Sequence, residues 1–161
     1  MIEKDKVNLE AMRLWVNELR TTQVSQGYGF LTQTDPDGRI SQCCLGVVCE
    51  LYQRHVGGLR IVAEEGGVIS YNDNEHVLPT AVHKWLGLED GAPEVHFICG
   101  VDHDYLHLDE EREECGADPS RTDDDSPLTQ VTELNDGING YRIHTFRQIA
   151  DLLEATYLTE R

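Results

Sequence analysis

The stretch Gln42–Tyr52, QCCLGVVCELY, gathers three thiols, Cys43, Cys44 and Cys49, into one short run. Thiolates are nucleophiles and metal ligands, so metal binding, redox chemistry and disulfide formation are all open to such a run. Further on, CGVDHDYLHL sets Cys99, His103 and His107 at four-residue intervals, with His96 and Cys115 near. Sulfur and imidazole are the ligands that zinc prefers. The spacing contains no C-x-x-C pair, however, and it falls in a stretch that reads as mixed strand and loop. Cys99 buried in a strand, with histidines on a wet acidic edge, accounts for the same residues. No metal and no cofactor is assigned.

A reactive cysteine needs an accessible, electropositive setting that lowers its pKa. Cys44 and Cys49 instead share an apolar helical stripe with Val47, Val48 and Leu51, in an acidic chain. Free cysteine packs as a small hydrophobe, so these thiols are expected in the core, with Cys43 the least tied to that stripe. The five cysteines are an odd number, and no disulfide framework is expected in a chain without a secretory signal. GYGF at residues 27–30 is no dinucleotide fingerprint, and the chain has no G-K-[ST], G-x-S-x-G or H-E-x-x-H motif.

Polar groups at breaks in the apolar pattern remain. Gln26, Gly27, Tyr28 and Gly29 follow the first helix, and Asn135, Asp136 and Gly137 precede the last. Such residues commonly build turns by bonding local backbone. As a pocket wall they offer a ring to stack on a base, amides for an anion, and side chains for ribose hydroxyls.

The elements that must position these groups follow from periodicity. Residues 7–20 form a helix with Leu9, Met12, Val16 and Leu19 on one stripe, Trp15 beside it and Asn8 as its cap. Residues 30–41 form a hairpin about DPDG. Residues 42–55 form a mostly buried helix, in which Gly46 lets another backbone approach. LRIVAEEGGVISYND forms a second hairpin, and LPTAVHKWLGL a helix stopped by Gly87. EVHFICG reads as a strand, residues 128–136 as a short helix and YRIH as a short strand. Thr145 caps a final helix with Phe146, Ile149, Leu152, Leu153 and Tyr157 on its apolar face. Residues 1–161 are therefore expected to form one α+β domain, with about four helices packed on small antiparallel hairpins. An acidic, mobile excursion is expected over residues 102–127.

The formal net charge is −17. Between Asp102 and Asp125, 11 acids and 2 arginines leave −9 on that stretch alone. This balance opposes direct nucleic-acid binding and adhesion to anionic membranes. No apolar run approaches the ~18–20 residues of a membrane span. The expectation is a soluble intracellular protein.

Taken in order, LWVNELRTTQVSQGYGFL, CCLGVVCELY, LPTAVHKWLGL, TELND and FRQIADLLE resemble a family of small, mostly uncharacterised proteins of tailed bacteriophages and prophages. The resemblance covers about half of the chain, and the long acidic segment after FICG departs from it. It implies a phage accessory protein in the host bacterial cytoplasm. Phage accessory proteins of this size often counter host defence, and one strategy is to sequester a nucleotide-derived immune signal. On that reading the protein is a non-catalytic sponge for a cyclic ADP-ribose isomer or a cyclic dinucleotide. Gln26 and Tyr28 supply polar and stacking contacts, Arg39 pairs with phosphate, and Asn135 and Asp136 hold sugar hydroxyls. Two rivals stand beside it: an acidic interaction protein or DNA mimic that inhibits a host factor, and a phosphodiesterase that cleaves the signal. A homo-oligomer is compatible with either binding role.

Overall fold

Asn8 opens the first helix, α1 (Leu9–Thr21), as its side chain accepts from the Ala11 amide and satisfies one of the orphan donors of the first turn. The same side chain donates to Trp85 O at 3.0 Å, which ties the start of α1 to a later helix. In the computed structural model the described residues are 4–96, 128–138 and 143–159. The buried face of α1 is Ala11, Met12, Trp15, Val16 and Leu19. Leu9, expected on that face, is 42% exposed, and Trp15 takes the central place with no exposure. The Trp15 indole N–H donates to Cys44 O at 3.0 Å, so the ring is buried with its one donor satisfied.

Two hairpins build most of the sheet. Strands β2 (Thr32–Thr34) and β3 (Ile40–Gln42) pair antiparallel about a turn in which Asp35 accepts from the Asp37 and Arg39 amides. Strands β4 (Ile61–Ala63) and β5 (Val68–Tyr71) form the second hairpin, and β5 pairs antiparallel with β2. A short strand absent from the sequence reading, β1 (Ser25–Gln26), runs parallel to β3. The five-stranded sheet, in the order β1-β3-β2-β5-β4, is therefore mixed rather than wholly antiparallel. Two residues are too few to show a period, and only the pairing with β3 makes them a strand.

Helix α2 (Cys44–His55) crosses this sheet closely. A β carbon at Gly46 would lie 1.7 Å from Leu31 O, and that carbonyl also accepts from the Cys43 amide at 3.1 Å. Under α2, Gln42 donates to the Thr32 hydroxyl, which bonds the Tyr71 hydroxyl at 2.7 Å, and Tyr71 in turn donates to Glu50 at 2.6 Å. This chain gives the buried polar groups partners. Helix α3 (Thr80–Leu86) stops at Gly87, whose φ of 78° only glycine adopts freely.

The remaining described elements are β6 (Glu94–His96), β7 (Leu128–Gln130), α4 (Val131–Asp136) and α5 (Phe146–Leu153), the last running into a π turn over Glu154–Leu158. Strands β6 and β7 form an antiparallel pair. The expected helix over residues 128–136 thus loses its first three residues to a strand, because β6 offers them a ladder. Thr145 and Gln148 make a reciprocal capping box at the start of α5. Of YRIH, Ile143 and His144 carry no strand, and Tyr141 and Arg142 lie outside the described residues. The acidic excursion over 102–127 lies outside them too. The expected α+β class holds, with five α-helices among the described residues. Helix α1 packs on α2, α3 and α5, and the three thiols of residues 43–49 lie inside the core that results.

Replacing Gly46 by alanine should destabilise the fold by about 3 kcal/mol, since a backbone carbonyl cannot retreat as a side chain can. Urea unfolding of G46A against the parent chain measures this.

Candidate functional site

Helix α2 begins without a side-chain cap of its own, since Cys43 makes none. The missing acceptor arrives from far along the chain. Asn135, in the last turn of α4, is 0% exposed, and its Oδ1 accepts from the Cys44 amide at 3.2 Å. That oxygen also accepts from Gln26 Nε2 at 3.1 Å. The Asn135 Nδ2 donates to Gly27 O at 2.9 Å and to Asp136 Oδ1 at 2.8 Å. Both donors and both acceptor positions of the amide are occupied. One side chain thereby joins the end of β1, the start of α2 and the end of α4.

The neighbours complete the junction. Gln26 Nε2 also donates to His144 O at 2.7 Å. The Asp136 carboxylate accepts from the Gly29 amide at 3.2 Å. His76 Nδ1 lies 2.6 Å from Gly29 O, and its ring packs on Phe30 at 4.9 Å between centroids. The Leu31 amide donates to Glu75 O at 2.7 Å. Residues 26–31 are thus held from two sides, by α4 and by the segment before α3. Tyr28, at the crest of this loop, is 49% exposed.

Four of the five residues selected from sequence meet here. Gln26 and Asn135 are bonded to each other, Asp136 holds the Tyr28 loop through Gly29, and Tyr28 presents its ring to solvent. Arg39 is not part of this group. Ser25 is level with Ser41 and Gln26 with Gln42 in a parallel register. The chain therefore leaves β1 toward Tyr28 at the end of β3 opposite to Arg39, which is exposed in the β2–β3 turn. Residues that sequence reasoning missed are Phe30, His76 and the carbonyl of His144. The aromatic neighbour of Tyr28 was a usable signal, whereas nothing in the sequence around His76 marks it.

The arrangement offers an exposed phenol ring, a half-buried carboxylate and a histidine–phenylalanine stack. These can stack on a planar ligand and accept hydrogen bonds from it. The neighbouring thiols of Cys43, Cys44 and Cys49 are buried. Burial pushes the Cys43 thiol up to about 11, although the Leu45 and Gly46 amides that face it pull the other way. Burial likewise pushes Cys44 and Cys49 well above the ordinary thiol range, and the negative charge of Asp136 adds to the shift at Cys44. Among the described residues no group of three or more His, Cys, Asp or Glu side chains is placed to hold a metal ion. Cys99, His103, His107 and Cys115 lie outside the described residues.

Three consequences are measurable. Asn135→Ala removes partners from the buried Cys44 amide and the Gly27 carbonyl, and should cost about 3–5 kcal/mol in a denaturant titration. The thiols of residues 43, 44 and 49 should resist iodoacetamide at pH 8 until denaturant is added. A thiol whose folded pKa is raised favours the protonated native state, so its contribution to stability is complete below the unfolded value near 9 and lost as pH rises toward 11. For Cys43 alone, with its thiol pushed up to about 11, that loss is roughly 3 kcal/mol. Unfolding free energies at a series of alkaline pH values, for the parent chain and Cys43→Ser, isolate it.

Among the described residues no helix is long and apolar enough to cross a membrane. No curated protein and no solved structure matches the chain significantly. A family model described as a domain of unknown function (DUF8296) matches residues 7–157, a range that contains strands β1–β7 and helices α1–α5. The chain belongs to that uncharacterised family.

Proposed function

We propose that this protein is a phage accessory protein that acts in the host bacterial cytoplasm by binding and sequestering a small nucleotide-derived immune signal, without cleaving it. One observation carries the reading. The loop that displays Tyr28 is braced on both sides before any ligand arrives, through Asn135 and Asp136 on one and His76 on the other. A binding loop held in place loses less freedom on binding. The motif resemblance to phage proteins supports the biological setting.

The geometry also divides the labour. The Asn135 amide has no bonding capacity left for a ligand, and Gln26 spends its amide nitrogen on Asn135 and His144. Both residues therefore position the loop. Tyr28 would stack on a base, with Asp136 accepting from sugar hydroxyls or an exocyclic amine. Arg39 faces away from this group, so any phosphate would be left to solvent by the described residues. That suits a chain whose charge of −17 repels anions.

Calorimetry with cyclic dinucleotides and cyclic ADP-ribose isomers tests the proposal. Saturable binding of at least one member is expected. Tyr28→Ala should weaken it about tenfold or more, as loss of base stacking does elsewhere. Ligand recovered intact after denaturing the complex supports a sponge, and a cleaved product supports a phosphodiesterase. No heat from any member would remove the proposal.

The charge between Asp102 and Asp125 favours a second reading, an acidic mimic of DNA that occupies a basic host protein. On that reading, neutralising residues 109–125 abolishes partner capture and leaves the calorimetric panel silent throughout.

A further inference from the structure

The two edges of the five-stranded sheet differ. At the β1 edge, Gln26 donates to His144 O and the Gly27 carbonyl accepts from Asn135. At the β4 edge nothing pairs among the described residues, and every residue from Arg60 to Gly66 is exposed. The backbone of this strand has a definite polarity. The Asn72 amide donates to Arg60 O at 2.8 Å, the Glu64 amide donates to Val68 O at 2.7 Å, and Val62 lies opposite Ser70 between them. Bonding groups alternate along an antiparallel strand. The N–H and C=O groups of Ile61 and Ala63 therefore point away from β5, into the open edge. Ile61 is 40% and Val62 36% exposed. Sheet edges are usually protected by proline, lysine or a bulge, and Ile61–Ala63 contains no proline or lysine and keeps an unbroken register.

The local sequence, Arg60-Ile61-Val62-Ala63-Glu64, is complementary to itself in charge. Laid antiparallel on its own copy about Val62, it sets Arg60 opposite Glu64 at both ends and Ile61 opposite Ala63 between them. We infer that β4 pairs antiparallel with β4 of a second copy of this chain, about a two-fold axis at Val62, joining the two sheets into one. Ile61 of each copy exchanges both backbone hydrogen bonds with Ala63 of the other, and the two Val62 side chains meet across the axis. Within one copy Arg60 pairs with Asp73, and Ser70 donates to Glu64 at 3.0 Å. The Arg60–Asp73 pair is largely exposed, with side-chain exposures of 63% and 75%, and a guanidinium has five donors. That contact leaves Arg60 able to meet a second carboxylate.

A foreign peptide would find the same backbone edge, but the charge order Arg60…Glu64 repeats itself only against a second copy. The charge of −17 on each chain opposes approach at long range, and the Arg60–Glu64 pairs fix the register at contact. With so short a strand the association is weak and depends on concentration.

Sedimentation velocity of the full chain, at about 0.15 M salt to limit long-range repulsion, tests this from micromolar to millimolar protein. A shift from monomer to dimer is expected. Arg60→Glu and Glu64→Arg each set like charges opposite at both ends, and each should weaken the dimer about tenfold. The double variant R60E/E64R restores opposite charges and should return to within about threefold of the parent. Ile61→Pro removes an outward-facing N–H without touching the ladder to β5, and should give a monomer with native circular dichroism. The inference is overturned by a monomer at every concentration. It is equally overturned by a dimer insensitive to R60E and E64R, or by a folded double variant that fails to recover.

Discussion

A buried primary amide must fill its hydrogen bonds from within the protein, and Asn135 does so with partners from three separate elements. Its oxygen receives the first amide of α2 and the side chain of Gln26, and its nitrogen gives to Gly27 O and Asp136. Each of those partners is itself a group that would be costly to bury unpaired. The N-terminus of α2 lacks a local cap, and a strand of two residues has little pairing of its own. The junction at Asn135 supplies both deficits, so the position of α2 and the path of residues 26–31 are one structural decision.

That coupling explains why the thiol run behaves as core. Once Asn135 and Leu31 O hold the start of α2, the helix must lie on the sheet at a distance that Gly46 alone permits. Cys43, Cys44 and Cys49 are then enclosed by α1, α4 and the sheet, and desolvation raises all three pKa values. The same enclosure that makes sulfur useful for packing removes it from chemistry. At the rim of this core, Tyr28 and Asp136 meet solvent.

Exposed ion pairs contribute less than these buried contacts. Arg20 binds Asp151 at 2.7 Å and also Glu154, and Arg54 binds Glu18 at 2.8 Å. They link α1 to the end of α5 and to α2 across the surface, where each is worth about 0–1 kcal/mol. In a chain with 13 basic and 30 acidic residues, few cations are available to neutralise the acids, and the packed interior carries the fold.

Local interactions were decided by sequence alone. Asn8 and Thr145 cap helices through residues three positions away, DPDG turns a hairpin, and Gly87 ends a helix; each acts within a few residues, so each leaves a readable signal. The apolar stripe of α2 was legible for the same reason. Gln26, Tyr28, Asn135 and Asp136 could be singled out as polar groups at breaks in the pattern, but not joined, because 109 residues separate Gln26 from Asn135. Arg39 was chosen for its charge, and strand direction carries it to the other end of β3. Only the tertiary structure decided that β1 runs parallel to β3, that residues 128–130 form a strand and that Asn135 caps a helix it does not belong to. Those outcomes depend on partners brought together by folding, and no local period or composition records which distant group will arrive.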